Sequence, residues 1–429
     1  MTLGCRVNQY ESQSISEELS GLGYEITSFN EDCNVYIINT CTVTSSSDKK
    51  SRQMISRALA KKKEKPNTKV CAIGCFTQNK FQIQKCFSVS GLDGIDIIGG
   101  NSGKSSIARV IHEYISSGKS EPVNILKDIS EVCEFENLSL TKSKNTRAYL
   151  KVQDGCDNFC TYCIVPVVRG RVRSKPIEEV RNDLFNLRKE GYNEVVFCGI
   201  EISAYQSGLV ELAKAAEKAG FDRVRFGSMN PTTFSEGFIR NLSDIDAVMP
   251  HFHLSVQSAS NTVLKNMGRN YTSHELYKSI ENIHKYFKNA TLSCDLICGF
   301  PGETEKDFED TLNFVSSNEI THAHIFPYSK REGTPAATFK NQIPEAIKKE
   351  RCSRLCTVSD IKLKEIFEKY RGDKFSVLIE NKKGDFYFGH TENFLPVALR
   401  RKCTTGTFES VILGKEVGIF ADETAFIVD

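Results

Sequence analysis

Cys156, Cys160 and Cys163 stand in the run Gly155-Cys-Asp-Asn-Phe-Cys-Thr-Tyr-Cys163, with three and then two residues between successive thiols. Thiolates this close in sequence can wrap a single metal centre. No fourth ligand follows nearby: the next cysteine is Cys198, and the nearest histidines are His112 and His251. A closed structural zinc site takes four protein ligands. A cubane iron–sulfur cluster held by three cysteines leaves one iron open to an exogenous ligand, and this spacing favours that chemistry. Three structural thiols in a surface loop, or a zinc loop with a remote fourth ligand, are the weaker readings.

A second trio is suggested by context rather than spacing. Cys41 and Cys75 each follow a short apolar run, ending at Asn39 and Gly74, and Cys5 directly precedes a helical pattern. Ligands of open α/β sheets gather outside the carboxyl ends of strands, so three such turns on adjacent strands could bring three thiols together. Scattered buried cysteines are the alternative. Cys71 lies inside its strand and reads as core.

The elements that must position these thiols fall into successive regions. Residues 1–115 alternate a helical pattern (11–22, with Ile15, Leu19 and Leu22 on one face) with apolar runs at 35–39, 69–74 and 95–98. This predicts a doubly wound α/β domain with strands buried on both faces. Residues 116–146 turn polar and read as a linker. From 147 to 371, six strand-like runs (148–152, 194–198, 223–227, 252–257, 291–298, 322–327) alternate mostly with helical patterns, the clearest at 177–190, 273–287 and 305–317. Six βα units are too few for a closed eight-stranded barrel, so an open partial barrel is expected, with chemistry at the strand C-termini. Cys156–Cys163 follow the first of these strands. After a last helix, 345–370, five short runs in 372–429 suggest a small OB-like β-barrel.

Composition fits this picture. Hydrophobic content of 40% and charged content of 26% are those of a soluble globular protein. No apolar run approaches the ~20 residues of a membrane span, and no signal-peptide layout opens the chain. Sixteen cysteines then read as reduced thiols and metal ligands in the cytoplasm rather than disulfides. The net charge of +2 averages over basic clusters at Lys49–Lys63, Arg169–Lys175 and Arg400–Lys402. Each could be a solvated face; together, beside a cluster-binding enzyme, they suggest a polyanionic substrate.

With these residues in view, the sequence resembles the radical S-adenosylmethionine (SAM) superfamily, in which the open iron binds the amino and carboxylate groups of SAM. The aromatic Tyr162 before the last cysteine is part of that pattern. Along essentially its whole length the chain resembles the methylthiotransferases within it. The segments that carry this are Thr2-Leu-Gly-Cys-Arg-Val-Asn-Gln-Tyr-Glu-Ser12, Ile38-Asn-Thr-Cys-Thr-Val-Thr44, Gly74-Cys-Phe-Thr-Gln78, Asp154 to Cys163 and Arg169-Gly-Arg-Val-Arg-Ser174. Further on come His253-Leu-Ser-Val-Gln-Ser258, Met267-Gly-Arg269 and Gly299-Phe-Pro-Gly-Glu-Thr304. The opening segment is most similar to the branch acting on N6-threonylcarbamoyladenosine at tRNA position 37. Other branches act on isopentenyladenosine or on a ribosomal-protein aspartate.

The resemblance implies two [4Fe–4S] clusters, the second on Cys5, Cys41 and Cys75, and two SAM per turnover. It also implies a tRNA anticodon stem-loop as substrate, a low-potential electron donor such as flavodoxin or ferredoxin, and a C-terminal tRNA-binding TRAM domain. The chain departs from the family in three ways. It starts at the turn holding Cys5, without the strand expected before it. Glu201 stands where Asn is more usual. Residues 372–429 carry seven Lys/Arg against nine Asp/Glu, net −2, so RNA affinity there would rest on Arg400, Arg401 and Lys402.

A SAM pocket needs more than an open iron. Tyr162 is placed to pack on adenine, and Glu201 to take the sulfonium or amino group. Ser255 and Gln257 alternate with Leu254 and Val256, so both point to one face of their strand and into the barrel. Arg269 matches a carboxylate bidentately, and Gly299 permits close backbone approach. His251 and His253 read as structural. A radical-SAM enzyme acting on a protein, and a non-catalytic iron–sulfur RNA-binding protein, are the competing classes.

Overall fold

The structure is a computed structural model, and it describes residues 1–79, 94–142, 145–414, 416–420 and 423–429. Its first sheet is fully parallel, in the order β1 (Val35–Thr40), β2 (Lys69–Gly74), β3 (Ile97–Ile98), β4 (Val123–Asn124). The side chains of β2 alternate. Cys71 and Ile73 pack with Ile15, Leu19 and Ile111 under α1 (Arg6–Gly21) and the helix Ile107–Ser116. Val70 and Ala72 pack with Met54, Ile55 and Ala58 of the helix Ser45–Glu64 on the other face. Near-continuous apolar strands follow from this double burial. Met1–Leu3 lie along β1: Met1 and Asn39 exchange a backbone hydrogen bond of 2.9 Å, as do Leu3 and Asn39.

The stretch read from composition as a linker is not a loose tether. Val123–Asn124 adds the edge strand β4, and Leu138 and Leu140 are buried in the core of the next region. Only a few apolar side chains do this work, so the surrounding polar residues mask them.

The barrel strands are β5 (Ala148–Lys151), β8 (Glu194–Cys198), β9 (Arg223–Phe226), β10 (His251–Gln257), β11 (Thr291–Cys298) and β12 (Ile320–Pro327). They run in chain order and all parallel, with bridges Val224–Val248 and Met229–Leu254 joining its two three-stranded halves. Between β5 and β8 an antiparallel hairpin, β6 (Gln153–Asp154) with β7 (Arg173–Ser174), ties off the loop carrying Cys156–Cys163.

The C-terminal region is a six-stranded sheet among the described residues: β13 (Lys374–Lys383), β14 (Phe386–Thr391), β15 (Pro396–Leu399), β16 (Phe408–Ile412), β17 (Val417–Phe420) and β18 (Glu423–Val428). The sequence predicted five of these; β18, which pairs parallel with β15, is the addition. This sheet caps the N-terminal end of the barrel. Arg225 donates to the Thr391 carbonyl at 3.0 Å and Arg223 to the Ser376 carbonyl at 2.7 Å. Phe394 lies between the rings of His251 (4.5 Å) and His390 (4.3 Å). None of the described helices is long and apolar enough to cross a membrane.

Candidate metal centres

The first trio sits in a loop whose two ends touch. Gly155 has φ +73°, and a Cβ there would lie 1.8 Å from the Arg171 carbonyl oxygen, a space only glycine leaves free. The Cys156 N–H donates to the Gly170 carbonyl at 3.1 Å, and Phe159, between the first two thiols, turns the chain back with φ +45°. Cys160 is buried, and Cys156 and Cys163 are half-buried. Backbone N–H groups of Asn158 and Val165 point at the sulfurs of Cys156 and Cys163, and Arg269 donates to Cys160 Sγ at 3.4 Å. Burial pushes the Cys156 thiol up to about 11 and the Cys163 thiol up to about 12. Thiols so placed become thiolates when a metal cation takes the proton's place.

The second trio is assembled from three turns. Cys5 is the N-cap of α1, Cys41 follows β1, and Cys75 opens the one-turn helix Cys75–Gln78 after β2. Gly4 (φ +95°) brings its turn so close that a Cβ would lie 2.9 Å from Cys41 Sγ. The charges of Cys75 and Cys5 both act on the Cys41 thiol, which burial pushes up to about 11. Asn101 donates to Cys75 Sγ at 3.3 Å and to the Val168 carbonyl at 2.7 Å. Cys71 is in the sheet core, away from this cluster.

One short helix links the two trios. Val165–Arg169 starts two residues after Cys163, and its Val168 packs with Cys75. At ~1.5 Å rise per residue it spans under ~10 Å. Its last residue, Arg169, is buried and donates to Asp154 Oδ1 (2.9 Å), Glu11 Oε1 (3.1 Å) and Asn8 Oδ1 (2.5 Å). Lys151 donates to Glu11 (2.8 Å) and Asp154 (2.6 Å), and Lys104 pairs with Glu11. Burial alone would raise the Glu11 carboxyl, but Arg169, Lys104 and Lys151 hold it well below the usual range. Arg173 reaches Asp154 at 3.8 Å. The network therefore holds Arg169, Arg173, Lys104 and Lys151 against only Glu11 and Asp154, among the described residues. Buried cations left over at this rate are costly. Cys5 and Cys75 act on Arg169 by charge, so thiolates of the second trio are the anions that fit.

This corrects the reading of Arg169–Lys175 as a basic face. Arg169, Arg173 and Lys175 are buried, and Arg171 alone is exposed. Lys175 pairs with Asp183. The partners Glu11, Lys104 and Lys151 were not singled out in the sequence; the signal available was three polar residues, Asn8, Glu11 and Ser14, spaced three apart on the helix face that also carries Val7, Ile15 and Leu19.

The residues expected around SAM lie at this end of the barrel. Tyr162 is half-buried and packs edge-on against Phe300, 6.5 Å between centroids. Glu201 accepts from Asn158 Nδ2 at 2.7 Å, while its Oε1 is buried with no partner. Ser255 and Gln257 are half-buried and make no side-chain hydrogen bond among the described residues. An orphaned carboxylate oxygen and two unpartnered polar side chains fit a ligand with amino and hydroxyl groups. Arg269 also donates to the Ser255 carbonyl at 3.0 Å, so it ties Cys160 to β10. Gly299 has φ +71°, and the space a Cβ would take is filled by Lys348 Cγ at 2.4 Å, so the glycine lets the helix Glu345–Tyr370 approach closely. Arg400, Arg401 and Lys402 are exposed; Arg400 pairs with Glu416 (2.6 Å) and Asp429 (2.9 Å), and Arg401 with Glu409 (3.4 Å).

Residues 150–315 match the family model described as Radical SAM superfamily, and residues 1–90 match one described as Uncharacterized protein family UPF0004. The chain is 35% identical to the threonylcarbamoyladenosine tRNA methylthiotransferase MtaB of Bacillus subtilis, over 93% of this chain and 89% of that protein. It is also 35% identical to the MtaB of Aquifex aeolicus, over 88% and 91%. A tRNA-2-methylthio-N(6)-dimethylallyladenosine synthase of Staphylococcus haemolyticus is 32% identical, over 99% and 82%. Among solved structures, the radical SAM methyltransferase TsrM of Kitasatospora setae superposes with a TM-score of 0.57 at 14% identity, covering 76% of this chain and 73% of that one, a likeness of fold.

Proposed function

As the chain belongs to the radical-SAM methylthiotransferase family, we propose that it converts N6-threonylcarbamoyladenosine at tRNA position 37 to its 2-methylthio derivative. The observation that carries this is the pair of cysteine trios joined by the helix Val165–Arg169, with an unbalanced positive network beside the second trio. Both relatives at 35% identity carry the threonylcarbamoyl name, and the 32% relative carries the dimethylallyl one.

Replacing an unactivated C–H at adenine carbon 2 is beyond any side-chain acid, base or nucleophile. Cys156, Cys160 and Cys163 would hold a [4Fe–4S] group, which would supply the one-electron chemistry that such a C–H replacement with SAM needs. Cys5, Cys41 and Cys75 would hold a second such group, which would supply sulfur, with a second SAM as methyl donor. The chain's own residues do the positioning. Arg269 fixes Cys160 against β10, and Glu201 offers its free oxygen to the SAM amino group. Ser255 and Gln257 present hydroxyl and amide groups to its ribose and carboxylate. Tyr162 walls the adenine side. The N–H groups at Asn8, Val43, Asn158 and Val165 stabilise sulfur-centred negative charge at both centres. A low-potential donor such as flavodoxin or ferredoxin completes the cytoplasmic reaction, and Arg400–Lys402 contact tRNA phosphates.

Mass spectrometry of tRNA nucleosides from a strain lacking the protein tests this. The 2-methylthio derivative of threonylcarbamoyladenosine should disappear while its precursor accumulates. Loss of the methylthiolated isopentenyl nucleoside instead would overturn the substrate assignment.

A further inference from the structure

The lumen below the SAM residues holds polar groups that neither cluster nor SAM requires. Phe252, Leu254, Cys294 and Leu296 face the helices, so His253 of β10 and Asp295 of β11 face inward. His324 of β12 is the register partner of Asp295, and the ligating atoms of His253, Asp295 and His324 all lie within 4.8 Å of one another. His253 Nε2 is 3.2 Å from Asp295 Oδ1, yet the approach is too oblique for a hydrogen bond and the buried nitrogen has no partner. The His253 and His324 rings stack at 5.1 Å, and His324 makes no hydrogen bond among the described residues.

A cation faces the same space. Val7 packs on Val196 and Cys198 of the lumen wall, which sets the neighbouring Arg6 guanidinium 5.1 Å from the Tyr149 ring centroid. Arg6 is exposed, has no carboxylate partner among the described residues, and stands close enough for its charge to act on His324. It directly follows Cys5. A hydrocarbon substituent seated here would cover a guanidinium, two imidazoles and a carboxylate whose hydrogen-bonding capacity is mostly unused, the situation in which polar sites reject apolar analogues most strongly.

We propose that this end of the lumen reads the threonylcarbamoyl group itself. Arg6 takes the threonine carboxylate, for which a planar guanidinium is the matched donor, and the His253–Asp295–His324 set takes the hydroxyl and urea N–H groups. His253 is then a specificity residue rather than the structural one the sequence suggested. This rests on the substrate assignment above.

The test uses reconstituted full-length enzyme, anaerobically, on three anticodon stem-loops: threonylcarbamoyladenosine, its carboxyl methyl ester, and the glycylcarbamoyl analogue that lacks the hydroxyl. Wild type should prefer acid to ester by roughly 10–100-fold in kcat/KM, the worth of a charged hydrogen bond. Arg6→Leu should erase that ratio, and His324→Leu should erase the preference for threonyl over glycyl. Unchanged iron content and RNA-independent SAM cleavage would show that each variant is folded and loaded. An Arg6→Leu enzyme that keeps the wild-type acid-to-ester ratio would overturn the proposal. So would uptake of one Co²⁺ per chain, seen by its d–d absorption and abolished in His324→Leu, because the cluster would then be a metal site. Wild type that ignores the threonylcarbamoyl stem-loop altogether would overturn the substrate assignment, and this inference with it.

Discussion

Arg169 shows how much can rest on one side chain. It is fully buried, ends the helix between the two cysteine trios, and bonds Asp154, Glu11 and Asn8. Arg169→Met would strip Asn8 Oδ1 and the facing Glu11 and Asp154 oxygens of their guanidinium donor in a dry interior, a loss expected to cost about 3–5 kcal/mol. Arg171→Met, two residues on but exposed, should change stability by less than about 1 kcal/mol. Chemical denaturation of the two variants checks the contrast. Cys75→Ala should remove about half the iron of the reconstituted enzyme and spare RNA-independent SAM cleavage, since the first trio is untouched. Cys71→Ala, in the sheet core, should keep the full complement. Metal analysis beside a 5′-deoxyadenosine assay separates them, and loss of iron in Cys71→Ala alone would reverse the assignment. The thiols were legible in the sequence because cysteine spacing and strand ends are local signals. The Glu11–Lys104–Lys151–Arg169 network was not, because it joins residues scattered from 11 to 169 whose types look like ordinary surface charge until the packing is known.

Turns and strands do the positioning, and two of them can be tested separately. Gly74 has φ +104°, and a Cβ there would lie 2.6 Å from the Thr40 carbonyl, at the strand end that precedes Cys41. Gly74→Ala should destabilise by about 1–3 kcal/mol and weaken the second centre while leaving SAM cleavage intact, again read by iron content and 5′-deoxyadenosine. The contact between the C-terminal sheet and the barrel depends on Glu380, which pairs with Arg147 at 2.5 Å and with His390. Burial would raise the Glu380 carboxyl, but His390 and Arg147 hold it down to about 2. Its contribution is therefore complete above the ordinary carboxylate value of ~4.3 and is lost as pH falls from there towards 2. In Glu380→Gln that acid-dependent part should vanish, and hydrogen exchange in β14 should quicken already at neutral pH. Equal protection in both proteins at pH 7 would mean that Phe394 and the Arg223 and Arg225 contacts suffice. Periodicity gave the barrel strands well, since each is a run of four to eight residues and helical patterns separate most of them. It missed β4, which is two residues long, and β18, which the sheet recruits at the chain's end.

At the scale of the molecule, the two ends of the barrel differ: the cysteine trios and the residues proposed to hold SAM lie at one, a six-stranded cap at the other. Arg400→Ala, Arg401→Ala and Lys402→Ala combined should weaken tRNA binding and lower its salt slope by about one to three. The pairing of Arg400 with Glu416 and Asp429 keeps this below the full charge count. Filter binding across a salt series decides it; an unchanged slope would move the RNA surface off this patch. The buried network has a further consequence for how the protein is made. Glu11 and Arg169 are 158 residues apart, and synthesis proceeds at about 5–20 residues per second. Cys75 is 94 residues before Arg169, so for roughly 5–20 s a nascent chain carries all of Cys5, Cys41 and Cys75 while Arg169, which closes that corner, has yet to be added. During translation the second trio is an unfinished pocket open to oxidants and stray metals, so loading of the proposed second cluster would be a step for the chain that already includes Arg169.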